Sequence, residues 1–312
     1  MENNCELVSS RGLLKSCDVH VEHPTSSSAT LPDLNTITNN STVYVCNSAL
    51  HDFAQHIQEL PFSVRFVLVS GDSDNEVSAN TISEFIENPR ILHWFCQNAT
   101  VNHRKLTNLP IGLDYHTFQH EASAKQQEYT LQHIRKQTRH FTKRKMLCYI
   151  NFSLPPKNYA YRFDREEALK ELPTELCSFE KPRQKRTVCW QHQSECAFVV
   201  SPFGNGIDCH RTWEALVLGC IPIVRTSGID PMYNGLPVLI VQKWSDVTET
   251  LLRNTIEAFE QRTFQYQKLT LYYWVKRIES YKKNNNISIF ITILLVVLCA
   301  VVLAKKRLFY KK

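Results

Sequence analysis

An α/β fold is expected from this sequence: two tandem units of parallel sheet layered with helices, then a membrane-spanning helix near the C-terminus. Three observations predict it. From about residue 42 onward, short β-branched apolar runs alternate with polar helical stretches at the interval of βα units. A second such series opens at Lys145 and closes on a strand, a glycine loop, a helix and a strand between Phe198 and Arg225. Finally, Ile287 to Ala304 (ISIFITILLVVLCAVVLA) runs for 18 residues without a charge, long enough to span roughly 27 Å as a helix.

The elements follow in order. Residues 1–40 (PTSSSATLPDLNTITNN at their end) are polar and lack periodicity, so they are expected to form a disordered leader. Residues 41–140 form the first α/β unit. Its strands are expected at Thr42–Asn47, Arg65–Ser70, Ile91–Cys96 and Lys105–Ile111, with helices at Ser48–Glu59 and Thr81–Glu87. A Gln-rich helical stretch from Ala122 to Lys145 bridges to the second unit, residues 141–255. Strands are expected there at Lys145–Phe152, Cys196–Ser201, Ile221–Arg225 and Val238–Val241, with helices at Arg165–Glu171 and Thr212–Leu218. A helical segment over 256–283, the transmembrane helix over 287–304 and a basic tail over 305–312 complete the chain. Without an apolar signal core in the first turns, and with the span so late, a tail anchor is expected, its bulk facing the cytosol.

Composition excludes several classes. The formal charge of +6 falls close to neutral once Lys305, Lys306, Arg307, Lys311 and Lys312 are set aside, so nucleic acid is not an expected partner. The 11 cysteines are scattered without a C-x-x-C pair, which argues against a disulfide framework or structural zinc. Neighbouring Cys209 and His210 do not converge on one ion, and no bound metal is expected.

The chemistry concentrates in FVVSPFGNGIDCHRTWEALVLGCIPIVR, Phe198 to Arg225. An apolar strand runs into Ser201, then a loop with Gly204, Asn205, Gly206 and Asp208, then a helix opening near His210. Glycines let backbone amides approach phosphate oxygens, and a helix front adds roughly half a positive charge. Arg211, in the first turn, has the fork geometry for a diphosphate. Glu214, three residues on, faces the same way and suits ribose hydroxyls. Gly219 ends the helix and Pro222 opens the next strand.

The stretch Arg211-x-x-Glu214-Ala215-Leu216-x-x-Gly219-Cys220-Ile221-Pro222-Ile223-Val224 resembles the C-terminal donor-site motif of exostosin-like glycosyltransferases. The resemblance implies a GT-B fold of two Rossmann-like domains and transfer of a sugar from a nucleotide-sugar donor to a glycan or glycoprotein acceptor, with inversion and without a metal. It implies that Glu214 contacts the donor nucleotide and Arg211 its diphosphate. Arg165, with Arg162 beside it, matches the cation that such donor sites draw from the start of the second domain. The nucleotide-sugar is a co-substrate, and no cofactor is expected.

On the acceptor side, Asp72 and Asp74 follow a strand directly, where ligands of open sheets collect, and either suits a general base. Asp114 and His116 again follow a strand and a glycine. Two alternatives stand beside this reading. One is a fucosyltransferase-like enzyme, which shares a glutamate-bearing donor helix. The other is a catalytically silent tether that binds sugar nucleotide or glycan at the membrane.

Overall fold

In a computed structural model of the chain, residues 2–117, 123–182 and 184–282 are described. They build two wholly parallel sheets. The first takes β1 (Thr42–Cys46), β2 (Phe66–Gly71), β3 (Ile91–Cys96) and β4 (Leu106–Asn108) in chain order. The second joins β5 (Lys145–Ile150), β6 (Cys177–Phe179), β7 (Cys196–Val200), β8 (Ile221–Arg225) and β9 (Leu239–Val241) in the order β6-β5-β7-β8-β9. Around them lie α1 (Ser10–Leu14), α2 (Leu50–His56), α3 (Ala79–Ile86), α4 (Ala124–Gln137), α5 (Arg162–Glu171), α6 (Arg186–Glu195), α7 (His210–Val217), α8 (Glu249–Glu260) and α9 (271–282).

Parallel strands need crossover connections, and the crossovers cover both faces of a sheet. Accordingly β1, β2 and β7 are buried along their whole length. The two-residue period then sorts side chains between cores. Val43, Val45, Phe66 and Leu68 meet Phe53 of α2, Phe85 of α3 and Trp94. Tyr44, Val67 and Val69 point the other way, into a core shared with Tyr149, Val199 and Val224 of the second sheet and Trp213 of α7. The two units therefore share one apolar seam.

Three expectations need correction. The leader expected to be disordered is instead part of that seam. Leu7 bridges Thr270, Ser9 bridges Gly112 and Val19 bridges Val43, while Val8, Leu13 and Leu14 are buried. Its apolar residues are few, but nearly all face inward, which outweighs the polar composition. The helical segment over 256–283 is two helices, because residues 261–270 break α8 from α9. Strand β6 and helix α6 are additional elements. The expected membrane helix over 287–304 lies outside the described residues; among those described, no helix is long and apolar enough to cross a membrane.

Helix α7 ends as its glycine demands. Gly219 adopts φ +72, the Cys220 amide donates to Ala215 O at 2.8 Å, and the Gly219 amide donates to Leu216 O at 3.0 Å. This is the paired closure of a left-handed C-terminal cap. It turns the chain directly into the amino end of β8, so that the opposite end of α7, its N-terminus, stands at the carboxyl end of β7.

Candidate functional site

In the second sheet β6 lies on one side of β5, and β7, β8 and β9 on the other. Connections therefore leave β5 and β7 in opposite directions. The region outside the carboxyl ends of such a strand pair is where ligands of open parallel sheets bind. Asn151, Phe152 and Ser153 leave β5 at this point, Ser201 to Cys209 leave β7, and α7 begins.

Two guanidinium groups gather here. Arg211 Nε donates to Asn151 Oδ1 at 2.8 Å and stands over the Phe152 ring, 5.5 Å from its centroid. Arg165 flanks the same ring at 6.0 Å, its Nε donating to Phe203 O (2.9 Å) and its Nη1 to Ser153 O (2.6 Å). Among the described residues neither pairs with a carboxylate. In particular Arg211 and Glu214, one turn apart, do not form the surface ion pair such spacing commonly gives. Burial pushes the Glu214 carboxyl up, against the opposing pull of Arg186. The N-cap of α7, Cys209, contributes no side-chain acceptor, which leaves the front of the helix open to an outside oxygen.

The loop between β7 and α7 is tight. The Gly204 amide donates to Gly206 O at 2.9 Å, and a Cβ on Gly204 would lie 3.0 Å from Cys209 Sγ. At Gly206 a Cβ would meet Asp74 O and Asn98 Nδ2, each at 2.9 Å. This glycine thus lets the two units close on one another. Asn205 is exposed at the tip.

Two residues expected to bind the donor are spent internally. Ser201 Oγ shares a hydrogen bond with Thr212 Oγ1 at 2.8 Å and is buried, so it pins β7 to α7. Asp208 is a clamp between the units: its carboxylate accepts from Ile111 N (2.7 Å), Cys209 N (3.0 Å) and Trp213 Nε1 (2.9 Å). Burial nonetheless pushes it up to about 6. Asp72, expected as a base, is also spent. It sits at φ +54 with its carboxylate 3.0 Å from Arg11 Nε, and burial holds its carboxyl above the usual range. Asp74 remains exposed.

A second group faces the first across the seam. His210 Nδ1 donates to Gly112 O at 2.7 Å, leaving Nε2 without that proton. Asp114 accepts from Arg186 at 2.8 Å, and its other oxygen lies 3.2 Å from His116 Nδ1. Burial opposes ionisation of Asp114, but His210, His116 and Arg186 together hold it below the usual carboxylate range. The ligand atoms of Asp114, His116 and His210 lie within 4.8 Å of one another. Both imidazoles, with Ser10, Asp72 and Asp74, line a cavity of about 90 Å³.

Asn151, Arg186 and Arg11 belong to this arrangement and are not among the residues singled out in the sequence. Asn151 carried a readable signal, since it is the first residue past an expected strand. Arg186 opens a helix with little amphipathic contrast, and Arg11 lies in the polar N-terminal stretch; neither carries one.

No protein-family model and no curated protein matches this chain.

Proposed function

We propose that the chain is a glycosyltransferase of GT-B type that moves a sugar from a nucleotide-sugar to a glycan or glycoprotein, anchored in a membrane by residues 287–304. The observation that carries this reading is the pair of carboxylate-free guanidiniums, Arg165 and Arg211, outside the carboxyl ends of β5 and β7. A diphosphate supplies the missing negative charge, and its oxygens match the fork geometry of arginine and the open front of α7. Glu214, further along the same helix, takes the ribose hydroxyls. Burial raises its carboxyl, and Arg186 pulls in the opposite direction.

The acceptor approaches from the first sheet. There Asp74 is the carboxylate left at the cavity rim once Asp72 is paired with Arg11. In the step, the acceptor oxygen bonds to the anomeric carbon as the bond from that carbon to the diphosphate oxygen breaks. The acceptor proton passes to Asp74, and the departing electron pair stays on the diphosphate facing Arg165 and Arg211.

The test incubates purified full-length protein with a panel of sugar nucleotides and measures released nucleoside diphosphate. Turnover with one donor is expected, and Arg211→Ala and Glu214→Ala should each lower it at least about tenfold with an unchanged circular dichroism spectrum. Wild-type rates in both variants would refute the site. The pairing of Asp72 with Arg11 favours a second reading, a silent binder. It predicts donor binding by calorimetry with no nucleotide released. A fucosyltransferase-like enzyme would show itself by its choice of donor in the same panel.

A further inference from the structure

Asp114, His116 and His210 converge from two different parts of the chain. The first two leave β4, and the third opens α7 on the other side of the seam. We propose that these three side chains form a binding site for a first-row divalent cation of the zinc type, with one carboxylate and two imidazoles as ligands. Neither the composition nor the resemblance to exostosin-like enzymes leads one to expect it.

The argument begins with spacing. Ligands bound at about 2.0–2.2 Å on adjacent positions of one ion lie roughly 3–3.5 Å apart. Asp114 Oδ1 and His116 Nδ1 are 3.2 Å apart, and all three ligand atoms fall within 4.8 Å of one another. Only a small approach by His210 completes the triad. Ligand chemistry points the same way, because two imidazoles with one carboxylate suit zinc or iron(II) better than magnesium or calcium, which prefer oxygen alone.

Support from outside the triad is the stronger observation. An imidazole that binds a metal through one nitrogen usually donates the other N–H to a backbone carbonyl or carboxylate, and ligating carboxylates are themselves hydrogen-bonded. His210 Nδ1 already donates to Gly112 O at 2.7 Å, which turns Nε2 away from that carbonyl. Asp114 is held through its far oxygen by Arg186 at 2.8 Å, while the Thr117 amide donates at 3.0 Å to the oxygen nearer His116. Gly112, in turn, is fixed at φ +65 against Val8 and Ser9. Two of the three ligands thus have their outer partners in place. An ordinary surface ion pair needs no such scaffolding.

Both imidazoles line the cavity shared with Ser10, Asp72 and Asp74. Three protein ligands leave at least one coordination position, and it opens onto that cavity. The ligand suited to it is an oxygen donor, either an acceptor hydroxyl or a phosphate oxygen. The site's location deepens the glycosyltransferase reading, but its existence does not depend on it.

The experiment strips full-length protein with a chelator and dialyses it. It is then titrated with Zn²⁺, and with Co²⁺ as a spectroscopic probe. One ion per chain is expected, with visible Co²⁺ absorption of a nitrogen- and oxygen-ligated centre. His116→Ala and His210→Ala should each weaken binding at least about tenfold, and added Zn²⁺ should raise the melting temperature of the wild type but not of these variants. Asp114→Asn tests the carboxylate; if it unfolds because Arg186 loses its partner, the partly exposed His116 remains the deciding position. Binding of Zn²⁺ by His116→Ala as tightly as by wild type, or no stoichiometric ion in wild type, would overturn the site. Because nothing here is read from sugar transfer, a failed metal titration leaves the donor-site test standing, and an inactive enzyme leaves the metal site standing.

Discussion

His93 shows how strongly a single buried side chain ties this molecule to pH. It lies on β3, with Nε2 sharing a hydrogen bond with Thr107 Oγ1 at 2.8 Å and its ring stacked on Tyr281 at 3.8 Å between centroids. Burial lowers its pKa from 6.5 to about 4, and the charges that face it, Arg277 and Lys105 with His103, push in the same direction. Above pH ~6.5 the imidazole is neutral both folded and unfolded, and nothing is lost. Between about 6.5 and 4 the unfolded chain takes up a proton that the folded chain refuses, so stability falls as pH falls. Below about 4 both states are charged and the penalty is constant. The advantage of wild type over His93→Gln should therefore shrink by ~3 kcal/mol between pH 7 and pH 4, read from urea midpoints at each pH. A difference that does not change with pH would show that His93 titrates normally. Asp208 obeys a related rule: a carboxylate this enclosed survives because three N–H groups point at it. Such an aspartate holds elements together and is a poor candidate for touching a ligand.

Helix α7 and its flanking strands are the element on which the site depends, and their ends are set by single residues. A Cβ at Gly219 would face a left-handed φ of +72 and meet Arg135 Cζ at 2.8 Å. Gly219→Ala is expected to lower stability by about 1–2 kcal/mol, with Gly219→Asn costing less because asparagine tolerates that backbone region. Thermal unfolding of the pair checks it, and equal melting temperatures for all three proteins would count against the cap. This end of α7 was legible in the sequence because Gly-x-x-Pro punctuation is local chemistry. Strands β1, β2 and β7 were legible for the same reason, since burial on both faces leaves continuous apolar runs. Strand β6 is three residues, Cys-Ser-Phe, and only partly buried, so it leaves no run to read. Helix α6 buries little more than Trp190 and Gln193, and its sequence lacks a contrasting face. The site divides the same way. Arg211 and Glu214 could be singled out because they share one helix, whereas the Arg11–Asp72 pair and the Ile111–Asp208 bond join residues 61 and 97 positions apart. Local patterning carries no trace of them.

At the scale of the whole molecule, the first twenty residues behave as a strap laid across the seam. They bridge α9's approach through Leu7 and Thr270, the β4 extension through Ser9 and Gly112, and the edge of the first sheet through Val19 and Val43. Each buried Leu or Val contributes about 1.5–3 kcal/mol relative to exposure, and Val8, Leu13, Leu14 and Val19 are all buried. Together with the Arg11–Asp72 pair, which would leave a buried carboxylate uncompensated if broken, that is comparable to the 5–15 kcal/mol that holds a typical domain folded. A chain beginning at residue 21 is therefore expected to lose cooperative unfolding and to be digested rapidly by protease. The single change Leu13→Ala should cost about 2–5 kcal/mol in the intact chain. If the shortened chain melts cooperatively at the wild-type temperature, the strap is ornamental and the two sheets hold each other unaided. The prediction reaches the site as well, because Gly112, whose carbonyl orients His210, is itself held by Val8 and Ser9. Loosening the strap without unfolding the protein, as by Val8→Ala, should disturb the His210 imidazole before it disturbs Arg211, which is anchored on the far side of the seam by Asn151.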